Sequence, residues 1–82
     1  MRRQMTVVGI GPKKAGIGKK SGKPFSFIEY SFIYDDDSVV GQKCETIAVD
    51  TGLIGDKKIS VGDVLDIVCH QYNFKTTVDA IL

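Results

Sequence analysis

Side chains that commonly act as nucleophiles, bases or metal ligands are few in this chain, which has one histidine and two cysteines. Cys69 and His70 are adjacent, and neighbouring residues on a strand point to opposite faces of a sheet. The pair therefore cannot form a nucleophile and its base, or share a metal ion, unaided. Cys44 and Cys69 have no metal-ligand spacing and are too few for a disulfide framework. We expect reduced, structural thiols, no metal and no cofactor.

Two further patterns resemble sites, one acidic and one rich in glycine and lysine. The ten carboxylates show no paired spacing typical of acid–base catalysis, and Asp35-Asp36-Asp37 lacks the glycine and the later glutamate of a calcium loop. The segment from Gly16 to Ser21 falls short of a phosphate-binding loop. Lys13 stands where that pattern needs its first glycine, and Lys20 where it needs serine or threonine. The sequence therefore predicts a protein that is not an enzyme.

Lysines that are followed directly by aromatic residues form the pattern with the most chemical content. Phe25 and Phe27 alternate along a predicted strand and so share one of its faces. Lysines can follow the phosphates of a single-stranded nucleic acid, and flat rings can accept its bases by stacking, worth about 1–3 kcal/mol per base. The alternative, in which both rings are core residues and the lysines are merely solvated, fits the composition equally well. The lysines of this segment are Lys13, Lys14, Lys19, Lys20 and Lys23.

The distribution of charge supports a nucleic-acid partner. The net charge is only +1, yet residues 1–28 carry seven basic and no acidic side chains, a sum of +7. Residues 29–82 carry four basic against ten acidic side chains, a sum of −6. A chain divided in this way indicates a basic surface that meets a polyanion.

The elements that must position these side chains are all predicted to be strands. Aromatic and β-branched residues dominate the strongest one, in which Ile28, Tyr30, Phe32 and Tyr34 form the row expected in the core. Gly11-Pro12 is expected to end the first strand, and residues 11–24 to form a flexible or hairpin-like loop. The predicted strands are Met5–Ile10, Phe25–Tyr34, Cys44–Val49, Val61–Val68 and Phe74–Leu82, with turns at residues 35–38 and 71–73 and a longer loop at residues 50–60.

Five strands and no helix predict an all-β fold, and the length of 82 residues allows one domain, residues 1–82. A small five-stranded barrel of the oligonucleotide-binding (OB) type fits best, although an SH3-like barrel has the same number of strands. No apolar run approaches the ~18 residues of a membrane span. Met1-Arg2-Arg3 is not followed by an apolar segment, so we expect no signal peptide and a cytoplasmic location.

The segment Gly22-Lys23-Pro24-Phe25-Ser26 resembles the central motif of the single-stranded DNA-binding proteins of filamentous phages, the gene V product family. Lys20 precedes it and Glu29 and Tyr34-Asp35 follow it at near-identical spacing. The match is close from Lys20 to Asp35 and extends in part over residues 46–52. The resemblance implies an OB-like barrel, a homodimer, and cooperative, sequence-tolerant coating of single-stranded DNA during DNA replication. It also implies an origin in a phage, prophage or mobile element and a location in the cytoplasm of a bacterial host.

Carried over by position, the resemblance assigns Lys20 to a phosphate contact, Phe25 to base stacking and Phe27 to an apolar neighbouring position. Tyr34 falls beside a second aromatic position. Phe74 or Tyr72 would lie at the tip of the last hairpin, where the family places an aromatic that reaches nucleic acid bound to the partner subunit. Thr46 departs from the family, which has a basic residue there, with Lys43 as a nearby substitute.

Two other functions remain open at the level of sequence. A small β-barrel could dock a protein partner on the Phe25/Phe27 face. An RNA-binding domain of the OB or cold-shock type would use the same face, since nothing in the sequence can be assigned to a 2′-hydroxyl.

Overall fold

The computed structural model describes all residues from Met1 to Leu82, and these form one antiparallel sheet in the order β3-β2-β1-β4-β5. The all-β class and the number of strands are confirmed. The edge strands β3 and β5 are not joined by a ladder of hydrogen bonds, so the sheet is not a closed barrel. The strands are β1 (Arg2–Ile17), β2 (Pro24–Asp35), β3 (Gln42–Asp50), β4 (Val64–Tyr72) and β5 (Lys75–Ile81).

Strand β1 is much longer than predicted. The expectation that Gly11-Pro12 ends it is wrong, because pairing with β2 resumes at Lys13 and continues to Ile17. Of the two forms expected for residues 11–24, a flexible or a hairpin-like loop, the structure has the hairpin. Gly11 and Pro12 lie in a register shift between the two strands. Proline, which has no N–H to donate, is tolerated at such an irregularity. Only residues 18–23 turn the chain.

The C-terminal end of β1 and the N-terminal end of β2 form a hairpin arm, which we define as residues 13–28. Its register runs from Lys13 opposite Ile28 to Ile17 opposite Pro24, whereas β4 pairs with β1 only from Arg2 to Thr6. In the turn, the Gly18 N–H donates to the Lys23 carbonyl at 2.9 Å. No residue of the arm is fully buried, so most of it is a two-stranded ribbon outside the core.

The core lies on the inward side of the sheet, as the row of alternate residues in β2 predicts. Tyr30, Phe32 and Tyr34 are at most 3% exposed, and Ile28 packs at the margin of this cluster. The single-turn helix α1 (Thr51–Ile54) contributes the buried Ile54. The other fully buried apolar residues are Met5, Val7, Ile47, Val49, Ile67, Cys69, Val78 and Ile81.

Strand β4 begins and ends later than predicted, and β5 is one residue shorter than predicted at each end. Residues 61–63 form a turn beside β1, in which Gly62 has φ of +96° and donates its N–H to the Val7 carbonyl at 2.7 Å. Strand β4 therefore begins at Val64 and continues to Tyr72. The turn between β4 and β5 consists of Asn73 and Phe74 alone, both with positive φ.

Candidate nucleic-acid interface

The aromatic pair of the arm lies on the face turned away from the core. The ring centroids of Phe25 and Phe27 are 6.0 Å apart and their planes differ by 20°. Phe25 is 45% exposed, Phe27 is half-buried, and neither belongs to the core cluster. This placement removes the alternative in which both rings are core residues.

A glycine on the neighbouring strand sets the position of the outer ring. Gly16 lies directly opposite Phe25, and a Cβ atom at Gly16 would be 3.0 Å from the Cζ atom of that ring. Such a contact is tighter than most Cβ contacts, so a larger residue at Gly16 would push the tip of the ring away from β1 by a few tenths of an ångström. Gly16 is therefore part of the site, although its role could not be read from the sequence without the register of the hairpin.

All five lysines of the arm are exposed, and the arm contains no acidic residue. Only Lys14 forms an ion pair, in which its Nζ lies 3.2 Å from Glu29 Oε1; both side chains are more than 40% exposed, so the pair is weak. Lys13 lies opposite Ile28 and thus on the other face of the arm from Phe25 and Phe27. Lys19, Lys20 and Lys23 occupy the turn and its flank.

The two N-terminal arginines lie away from the arm. Arg2 pairs with Asp66 at 3.0 Å. Arg3 donates to the Asp35 carbonyl at 2.8 Å and covers the ring of Tyr34, with its guanidinium carbon 4.8 Å from the ring centroid. Thus the basic N-terminal third of the chain contains two separate groups of charge, and only the lysine group adjoins the aromatic pair.

Tyr34 is a correction to the predicted site. Its ring is 2% exposed, and its hydroxyl donates to Glu45 Oε1 at 2.6 Å. Burial, and secondarily the hydrogen bond and the charge of Glu45, raise the pKa of Tyr34 to about 12. The residue belongs to the core, offers no face for a base and is not part of the interface.

Glu45 links the two open edges of the sheet, a role that the sequence did not indicate. Its Oε1 also accepts from the Thr76 hydroxyl at 3.0 Å, and its Oε2 accepts from the Thr76 N–H at 3.1 Å. Burial opposes ionisation of the carboxyl group, but the hydrogen bonds from Tyr34 and Thr76, with help from the charge of Lys43, outweigh it and lower the pKa of Glu45. A single carboxylate therefore bridges β3 and β5.

An open groove of about 720 Å³ lies between β3 and β5, beside this bridge. Of the residues singled out in the sequence, Lys43 and Phe74 line it, together with Lys75 and Glu29. Phe74 is fully exposed and Tyr72 is 72% exposed, but Tyr72 does not reach the groove. The structure thus brings Lys43 and Phe74 together and leaves Tyr72 apart from them.

The backbone of Phe74 is strained. Its φ is +64°, in the left-handed region that a bulky residue seldom adopts and that costs roughly 1–2 kcal/mol. Asn73, with φ of +51°, is a residue type that accepts this conformation readily. The chain therefore holds a large apolar ring in water at a position better suited to glycine.

The remaining titratable groups do not assemble into a second site. His70 Nδ1 lies 2.8 Å from Asp79 Oδ2 in an exposed pair across β4 and β5. Cys69 is buried, which raises the pKa of its thiol, and Cys44 is exposed on β3. No group of three or more His, Cys, Asp or Glu side chains is placed to hold a metal ion. Helix α1 has four residues, too few to cross a membrane.

Comparison of the chain with protein-family models, with curated proteins and with solved structures found no match.

Proposed function

We propose that this protein binds single-stranded DNA without sequence preference, through the hairpin arm and its aromatic pair. The observation that carries the proposal is the juxtaposition of Phe25 and Phe27, outside the core, with five lysines and no acid on one projecting ribbon. The lysines follow phosphates, and the exposed ring of Phe25 accepts a base by stacking. No step of covalent chemistry is involved.

Single strands are the preferred form because a ring can stack only on a base whose face is accessible. A two-stranded ribbon can enter the major groove of duplex DNA, but the aromatic face of this arm carries two phenylalanines and Lys14, of which only the lysine can hydrogen-bond a base edge. The interaction is therefore with phosphates and base faces, which every sequence shares. Single-stranded RNA presents the same phosphates and base faces, so it is the ligand with which DNA must be compared.

The same proposal includes an OB-like barrel and a homodimer. The Cα atoms of β3 and β5 approach within 8 Å, and Glu45 spans the seam that a barrel would close. A partly open seam is compatible with the OB type. Val64 and Leu82 are each 61% exposed, and burial of such residues against a second copy is the most common way to cover them.

The test is a titration of labelled oligo(dT), its RNA counterpart and a duplex of the same length over a range of salt concentrations. If three to five lysines engage phosphates, the slope of log K against log salt will be about −2 to −3.5. Oligo(dT) will bind more tightly than the duplex. A flat response to salt, or equal affinity for duplex and single strand, would refute the proposal.

A further inference from the structure

We infer that the contact between the hydroxyl groups of Ser26 and Thr51 positions the aromatic pair for its ligand, which makes both of them positioning residues of the interface. Ser26 lies in β2, Thr51 begins helix α1, and the Oγ atom of one is hydrogen-bonded to the Oγ1 atom of the other. The inference rests on the proposed function and deepens it, because it names what attaches the arm to the body of the protein. Neither side chain has to touch the ligand.

Support of the arm by the rest of the sheet ends beside Ser26. On one side of β2, strand β3 pairs with it only as far as Phe27, which lies opposite Asp50. On the other side, a register shift in β1 interrupts the ladder at the base of the arm. Between residues 13 and 25, the only side-chain hydrogen bond to a residue outside the arm is that of Lys14 to Glu29, which stays within the ribbon of β1 and β2. The Ser26–Thr51 contact is therefore the outermost polar attachment of the arm to the body.

Thr51 is held firmly by the element to which it belongs. Where β3 ends, Asp50 caps helix α1, with its Oδ1 atom accepting from the Gly52 N–H at 2.7 Å. The carbonyl of Thr51 accepts from the Gly55 N–H at 3.1 Å, which closes the single turn of this helix. Ile54 of the same turn is buried in the core. The hydroxyl of Thr51 is thus fixed to the core, and it can in turn fix the arm.

The position of Ser26 in the strand explains why this attachment acts on the rings. Ser26 stands between Phe25 and Phe27 in sequence, so its side chain leaves β2 on the opposite face from theirs. A two-stranded ribbon twists more than a wider sheet does, and rotation of β2 at this residue would turn both rings. Holding Ser26 from the underside limits that rotation. The rings are then already ordered when a base arrives, and binding loses less entropy.

The experiment uses variants that remove or keep one hydroxyl group. Thr51→Val removes the hydroxyl and keeps the branched shape, whereas Thr51→Ser keeps the hydroxyl. Ser26→Ala removes the other partner. The matched control is Ser31→Ala, because Ser31 also lies in β2 and pairs with a threonine hydroxyl, that of Thr46 at 3.1 Å, but lies outside the arm. Thermal melting of each variant verifies that it is folded.

The first measurement is the affinity for labelled oligo(dT). Ser26→Ala and Thr51→Val are each expected to bind about threefold to tenfold more weakly, the effect of one net hydrogen bond. The double variant will bind no more weakly than the single variants, since both remove the same contact. The slope of log K against log salt will not change, because no phosphate contact is lost. Thr51→Ser and Ser31→Ala will bind as the unaltered chain does.

The second measurement is the NMR relaxation of backbone amides in the absence of nucleic acid. In the unaltered chain, residues 14–17 and 24–26 are expected to have order parameters near the value of about 0.85 for a rigid backbone. In Ser26→Ala and Thr51→Val these will fall toward about 0.6, the value for a flexible segment. The order parameters of the other strands will stay the same. This result reports the attachment of the arm and is independent of both global stability and ligand contacts.

Three outcomes would overturn the inference and leave the proposed function standing. In the first, Ser26→Ala weakens binding and Thr51→Val does not, which would assign Ser26 to a direct contact with the ligand. In the second, Ser31→Ala weakens binding as much as Ser26→Ala does. In the third, the arm stays as ordered in Thr51→Val as in the unaltered chain. If the unaltered chain does not bind oligo(dT), the proposed function fails and the inference fails with it.

Discussion

Phe25 and Phe32 lie in the same strand, on opposite faces, and this contrast makes them the sharpest probes of the proposed function. Phe25 is 45% exposed and Phe32 is fully buried. Phe25→Ala is expected to weaken binding to oligo(dT) by about 1–3 kcal/mol with little change in melting temperature. Phe32→Ala is expected to cost about 3–5 kcal/mol of stability, enough to unfold so small a domain. Binding titrations and melting curves separate the two effects.

Two companion variants refine this result. Lys20→Ala will make the salt slope shallower by about 0.7 and weaken binding to all sequences alike. Gly16→Ala will displace the Phe25 ring, because its Cβ would crowd the Cζ atom, and will lower affinity without removing the ring. A Phe25→Ala protein that is unfolded while Phe32→Ala remains folded would contradict the assignment of faces.

Phe74 is expected to oppose stability and support binding. Phe74→Gly removes the side chain that makes φ of +64° unfavourable, so the free energy of unfolding will rise by about 1 kcal/mol. Affinity for oligo(dT) will fall, since a ring available for stacking is lost. Urea denaturation measures the first effect and titration the second. Asn73→Gly is the matched control for the turn, because it changes the adjacent residue and keeps the ring; a destabilised Phe74→Gly protein would show that the ring packs against the fold.

At the scale of elements, Glu45 joins strands that share no ladder, and its ionisation should govern the acid stability of that junction. The pKa of Glu45 is lower in the folded protein than its usual value of 4.5. As pH falls from about 5, the unfolded chain binds a proton at this carboxyl group before the folded chain does, and stability falls. Above the unfolded value the full contribution is present.

Glu45→Gln is therefore expected to be less stable at neutral pH, by about 1–3 kcal/mol, because an amide cannot accept all three hydrogen bonds. Its stability will also decline less steeply below pH 5 than that of the unaltered chain. The pKa of Asp36 is lowered too, mainly by hydrogen bonds from Ser38, but this group is common to both proteins and cancels in the comparison. Urea denaturation at a series of pH values gives both results; parallel curves would exclude a role for Glu45.

The sequence predicted those features that depend on neighbouring residues and missed those that depend on contacts between residues distant in sequence. The core row of β2 was predicted because alternation is a property of the strand itself. The length of β1 was missed because Gly11-Pro12 ordinarily ends a strand, and only the partner strand reveals that pairing resumes beyond the irregularity. The same alternation placed Tyr34 in the core, and only its position in the family resemblance assigned it to the interface; Glu45 and Thr76, which enclose its hydroxyl, lie in other strands. The contact of Glu45 with Thr76 joins residues 31 apart in sequence, and no local pattern records it.

At the scale of the whole molecule, a small core and exposed apolar residues predict association. Only 13 of 82 residues are buried. Val64 is exposed in β4, and Leu82, whose N–H donates to the Asp66 carbonyl of the same strand, is exposed as well. Burial of such side chains against a second copy adds stability that the single chain lacks. We expect light scattering to report about twice the 9.0 kDa of the chain at micromolar concentration. A monomer at all concentrations that bind DNA would exclude the homodimer.

The position of the arm outside the core has a consequence for how this protein can change over generations. The whole stretch from Val8 to Glu29 contains no fully buried residue, and of its apolar side chains only Ile28 packs against the core, so most substitutions there scarcely alter the packing on which the fold depends. Most mutations are eliminated because they bring a protein below its threshold of stability. Residues of the arm escape that filter, apart from Ile28, Gly16 and the turn. Their identities are therefore set by selection for the ligand alone: relatives that bind the same ligand are expected to keep them, and relatives that do not are expected to lose them without loss of the fold.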